Sequence, residues 1–105
     1  MGGNPDMKLI EDILADAQTL RDELALQIKL GTAEAREEFE KLEPHLQKLK
    51  EKTKEIAEVA GDTAKELAIA AELGIEADST EDLKTALQLA AEELREGFRK
   101  IRKSM

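Results

Sequence analysis

His45 is the only imidazole in the chain, and there is no cysteine. A lone histidine can ligate haem iron, serve as a general base or attack as a nucleophile. Disulfides, thiolate zinc sites, iron–sulfur clusters and cysteine nucleophiles all require a residue this chain lacks. Sites that need two imidazoles are excluded as well. A carboxylate-bridged two-metal centre needs Glu-x-x-His on two helices, yet the residue three before His45 is Leu42. Asp78, Thr80 and Asp82 mimic the opening ligands of a calcium loop, but Leu83 stands where that loop needs glycine, so helix capping accounts for them. The two serines, Ser79 and Ser104, fall at helix ends, which argues against a Ser-His-Asp triad. No phosphate-binding glycine loop, nucleophile elbow or dinucleotide fingerprint is present. No metal site and no catalytic constellation is expected; His45 is the one candidate for catalysis.

The elements that must position His45 are helices. Apolar residues recur at Ile10, Ile13, Ala17, Leu20, Leu24 and Ile28, which predicts a helix over about 5–30, with Asn4-Pro5-Asp6 opening it and Gly31 closing it. Ala35, Phe39, Leu42, Leu46, Leu49, Thr53, Ile56 and Ala60 alternate spacings of four and three, a heptad seam along a helix over 33–60. Pro44 lies opposite that seam, where a kink would curve the helix around the core. The heptad phase runs on from Ala60 through Thr63 and Leu67, which would allow one fused rod, but the cost of Gly61-Asp62 inside a helix favours a break, and Thr63-Ala64-Lys65-Glu66 reads as a capping box for a short helix over 63–73 that Gly74 ends. Ser79-Thr80-Glu81-Asp82 opens the last helix, over 80–103, striped by Leu83, Leu87, Ala90, Leu94, Phe98 and Ile101. No strand pattern occurs. The expectation is one all-α domain over 1–105, an antiparallel bundle of three long helices and one short one, with dimerisation through the 33–60 seam as the competing arrangement.

On the heptad, His45 sits beside the seam between Leu42 and Leu49, a flank that can face a third helix. A cofactor would also need space. Alanines gather in the second half of the chain, and Gly97 interrupts the last helix. Opposed small residues either let helices approach closely or leave a pocket, which Phe39 and Phe98, the only aromatics, would then line. His45, Phe39, Phe98 and Gly97 are therefore the candidate cofactor-binding set.

Composition narrows the partners. Sixteen basic residues stand against 24 acidic ones, a net charge of −8. Such a chain repels phosphate backbones and anionic lipid, and it lacks aromatics to stack on bases, so neither nucleic acid nor membrane is expected as a partner. Its longest unbroken apolar run is Leu67 to Ala71, too short for a membrane span or signal core, so a soluble, cytoplasmic protein is expected. Glu34, Glu37, Glu38 and Glu40 form an acidic patch, while Arg99, Lys100, Arg102 and Lys103 face the negative end of the last helix.

Taken together, the caps at Asn4-Pro5-Asp6, Gly31-Thr32, Gly61-Asp62-Thr63 and Ser79-Thr80-Glu81-Asp82, with Glu-, Lys- and Ala-rich outer faces, resemble computationally designed helical bundles. The resemblance is one of style across nearly the whole chain. It implies a scaffold, a partner binder or a host for small molecules, haem included. Pro44, His45, Thr53 and Gly97 depart from that style and so mark places to look for function or strain. The leading expectation is a non-catalytic scaffold or protein-interaction module, with a protein partner or self-association. The alternative is a cofactor- or small-molecule-binding bundle in which His45 is an axial ligand or base.

Overall fold

A computed structural model describes residues 5–105, with side chains from Met7 onward. The Asn4 cap lies outside the described residues, as do the side chains of Pro5 and Asp6. The fold is an all-α bundle: α1 (Pro5–Gln27), α2 (Ala33–Glu58), α3 (Thr63–Glu72) and α4 (Thr80–Ser104), with a 3-10 turn at Ile28–Leu30. Among the described residues no strand forms, and no helix is long and apolar enough to cross a membrane.

Each long helix contributes one apolar stripe to a shared core. Ile10, Ala17 and Leu24 of α1, Leu46 and Leu49 of α2, and Leu83, Leu87, Ala91 and Phe98 of α4 are all buried. α4 is the central helix and packs against the other three, whereas α3 packs on α2 and α4 and not on α1. Arg21 meets Glu43, and Gln18 meets Gln47 and Lys50, so α1 and α2 run antiparallel. Asp16 meets Arg95 and Glu23 meets Arg102, so α4 returns parallel to α1. The three long helices thus run up, down and up; a short turn joins α1 to α2, whereas α2 reaches α4 through α3.

Helix ends differ from expectation in two places. Residues 28–30 tighten into a 3-10 turn, and Gly31 follows in an extended conformation rather than the left-handed one. Asp62, not Thr63, caps α3, its side chain accepting from the Lys65 N–H. That shift by one residue frees Glu66 from the capping box. Its Oε1 instead accepts from the Thr80 hydroxyl at 2.9 Å, and the residue is 5% exposed. The Thr63 and Thr80 hydroxyls lie 3.2 Å apart, so α3 and α4 begin side by side. At the other end of α3, Gly74 takes the left-handed region and the Ile75 N–H donates to the Ala70 carbonyl, turning the chain out of the helix.

α2 stays helical through Pro44, which is exposed on the outer face. The break between α2 and α3 forms at Gly61, whose φ of +98° is open to glycine and strained for other residues. Lys52 of α2 holds α3 in place: its ammonium reaches Glu72 at 2.7 Å and Glu55 at 3.3 Å. Those carboxylates, Glu72 first, raise the Lys52 pKa, and Lys52 in turn lowers that of Glu72.

Candidate functional site: a lane beside the short helix

The unequal lengths of the helices create the main surface feature. α2 has 26 residues and α3 only 10. At 1.5 Å per residue, α3 covers about 15 Å of a partner about 39 Å long. Beyond the end of α3, the face shared by α2 and α4 lies uncovered on the side away from α1.

Two adjoining hollows occupy this face. The upper one, about 330 Å³, is lined by Leu42, His45, Leu49, Leu73, Ile75, Ala90, Glu93 and Leu94. The lower one, about 430 Å³, is bordered by Ala35, Leu42, Gly97 and Ile101, with Glu34, Glu38 and Lys100 among its polar residues. Leu42 borders both, its side chain reaching toward Gly97 of α4, and the two hollows with Leu42 between them make up a lane. Along α2 it runs from Ala35 to Leu49, about 21 Å at the helical rise.

His45 is exposed at the edge of the upper hollow, and Glu93 of α4 is exposed in the same hollow. Among the described residues neither side chain makes a hydrogen bond or an ion pair, so both are available to an incoming group. The floor between them is aliphatic.

The four residues proposed from sequence as a cofactor set do not line one hollow together. Phe39 and Phe98 are core residues, edge to face with ring centroids 6.0 Å apart, and neither lines the upper or the lower hollow. The Arg21 guanidinium lies over the Phe39 ring at 5.8 Å, held there by Glu43 at 2.7 Å. That hydrogen bond to Glu43, helped by Asp22, raises the Arg21 pKa. Gly97 borders the lower hollow, but a Cβ there would lie 2.8 Å from Leu42 Cδ1. The glycine therefore makes room for Leu42 rather than for a cofactor. His45 alone of the set lines the upper hollow. Among the described residues no cluster of three or more His, Asp or Glu side chains is placed to hold a metal ion.

No protein family, curated protein or solved structure matches this chain. The site therefore has to be read from its own geometry.

Sequence reading missed Glu93 and the lane itself. The signal was present: Ala90, Glu93, Gly97, Lys100 and Ser104 repeat at three and four residues, a second stripe beside the seam of α4. Its mixed composition hid it, since only one of those five side chains is apolar.

Proposed function

We propose that this bundle is a non-catalytic interaction module whose lane along α2 and α4 receives a helix from a partner protein. One observation carries the reading: α3 fills the fourth position of the bundle at one end only and leaves about four turns of α2 beside α4 without a helix over them, with an aliphatic upper hollow and a mixed lower one. A helix laid there would put its apolar face on Leu42, Leu49, Leu73, Ala90 and Leu94, the way amphipathic helices enter hydrophobic grooves. The resemblance to designed bundles, in which partner binding is a common purpose, supports the same reading.

A 16-residue peptide with leucines at helical spacing and glutamine elsewhere tests it. On mixing, peptide helicity should rise, and amide resonances of Leu42, Leu49, Ala90 and Leu94 should shift saturably. Ala90→Phe, which places a ring in the half-buried upper hollow, should weaken binding about tenfold or more. Shifts at Leu26 and Leu30, the two most exposed leucines, in place of the lane would overturn the reading.

A second reading has its own observation, the exposure of His45 to an apolar hollow of about 330 Å³, within the size range of small-molecule sites. It makes the upper hollow a host for a compact ligand bound at the imidazole, a haem-type ligand included. A haemin titration followed by absorption, run beside His45→Ala, decides it. A saturable one-to-one Soret shift that the variant loses carries the small-molecule reading. A titration that His45→Ala leaves unchanged removes haem from it.

A further inference from the structure

We infer that the helix received by the lane is basic, with lysine or arginine flanking its apolar face; this rests on the lane being a helix-binding site. Charge complementarity carries the inference. The charged side chains lining the two hollows are Glu93 in the upper and Glu34, Glu38 and Lys100 in the lower, an excess of two negative charges. His45 is the only other ionisable group on the lining. The acids sit on both walls, Glu34 and Glu38 on α2 and Glu93 on α4, so a helix between them meets carboxylate on either side.

Internal pairing leaves most of that charge free. Glu38 has Lys41 at 3.8 Å, a loose pair with both side chains more than half exposed. Among the described residues Glu34 and Glu93 have no ion-pair partner. Of the basic residues near these acids by sequence, Arg36, Lys41, Lys48 and Arg95 lie outside the lining; Lys41 is the partner of Glu38, and Arg95 reaches Asp16 at 3.5 Å. The net charge of −8 adds a long-range attraction for any cationic partner and speeds its encounter. The lane length fixes the partner's size: about 14 residues, or four turns, lie against the stretch from Ala35 to Leu49. Apolar residues at i, i+3, i+4 and i+7 would cover the leucine floor. Lysines one position outside them would reach Glu34, Glu38 and Glu93.

The test uses two peptides with the same leucine face, one carrying lysine at the flanking positions and the other glutamate. The lysine peptide should bind at least tenfold more tightly at low ionic strength, and the gap should narrow as salt is added. Reversing the lane acids in the triple variant Glu34→Lys, Glu38→Lys, Glu93→Lys should invert the preference. A control reverses three exposed acids away from the lane, Asp12→Lys, Glu51→Lys and Glu81→Lys, which changes net charge equally. It should leave the lysine peptide preferred. Equal binding of the two peptides to the original chain overturns the inference while keeping the helix-binding lane. The same inversion in lane and control variants also overturns it, because net charge alone would then be the cause. Failure of both peptides, with the uncharged glutamine peptide failing too, overturns the lane reading itself.

Discussion

Replacing Phe98 by alanine is expected to lower the stability of the bundle by about 3–5 kcal/mol, the largest effect of any single substitution considered for this chain. Phe98 has no exposed surface and is among the largest fully buried side chains. It sits on α4, the helix that touches all the others, so the void left behind would border several elements at once. The substitution also removes the edge-to-face pairing with Phe39, worth about 0.5–1.5 kcal/mol beyond buried area. With two aromatics in 105 residues, Phe39 is the one ring left beside the gap. Domains of this size usually hold about 5–15 kcal/mol in total, so the variant should be marginal, with Tm lower by roughly 15 °C or more. Denaturant unfolding gives the measurement: the midpoint should fall while the slope stays constant. A loss under about 1 kcal/mol would mean that α2 and α4 close over the gap, and that the contact of Leu42 with Gly97 is softer than its geometry indicates. Phe98→Leu separates the two contributions. It keeps most of the volume, and a loss of about 1 kcal/mol would point to the cavity as the main cost of the alanine variant.

The ease of reading the fold and the difficulty of reading the site have one physical origin. Helix positions are legible because burial is periodic along a helix, so Ile10, Ala17, Leu24, Leu46, Leu87 and Phe98 announce their faces through spacing alone. Caps are local too, and Thr32 and Ser79 accept from the N–H groups three residues on, as their positions suggest. Boundaries slip where two neighbours compete for one role. Asp62 and Thr63 can each cap α3, and which one wins decides whether Glu66 reaches back to its own helix or across to Thr80. Nothing within those five residues settles that, because Thr80 arrives from 14 positions away. The lane is further out of reach of local pattern. It exists because α3 stops at Gly74 while α2 and α4 continue, a relation among three separate segments. The spacing on α2 puts His45 beside the seam, yet its neighbours Ala90 and Glu93 follow from the docking of α4.

Thr53→Val should stabilise the protein by about 1–2 kcal/mol, an effect of the opposite sign that arises at the same seam. Thr53 occupies a core position of α2 and is 1% exposed, but its hydroxyl has no hydrogen-bond partner among the described residues. A helical threonine can donate to the carbonyl four residues earlier, here Leu49, and thereby offset the loss of water; this hydroxyl does not. A buried hydroxyl left without a partner costs about 1–3 kcal/mol, the desolvation it does not recover. Valine has nearly the same shape and the same β-branched preference in a helix, so it exchanges the polar atom for a methyl group without asking the core to move. The gain should appear as a rise in Tm of roughly 5–10 °C with the unfolding slope unchanged. Thr53→Ser supplies the opposite arm: it keeps the hydroxyl, removes the methyl group and should lose about 1 kcal/mol by leaving a small cavity. If valine is neutral or destabilising while serine is tolerated, the hydroxyl is satisfied in solution by water or by its own helix, and the methyl group was the part that did not matter. The expected order, valine above threonine above serine, would instead identify Thr53 as a polar residue carried in an otherwise aliphatic seam at a measurable cost to the fold.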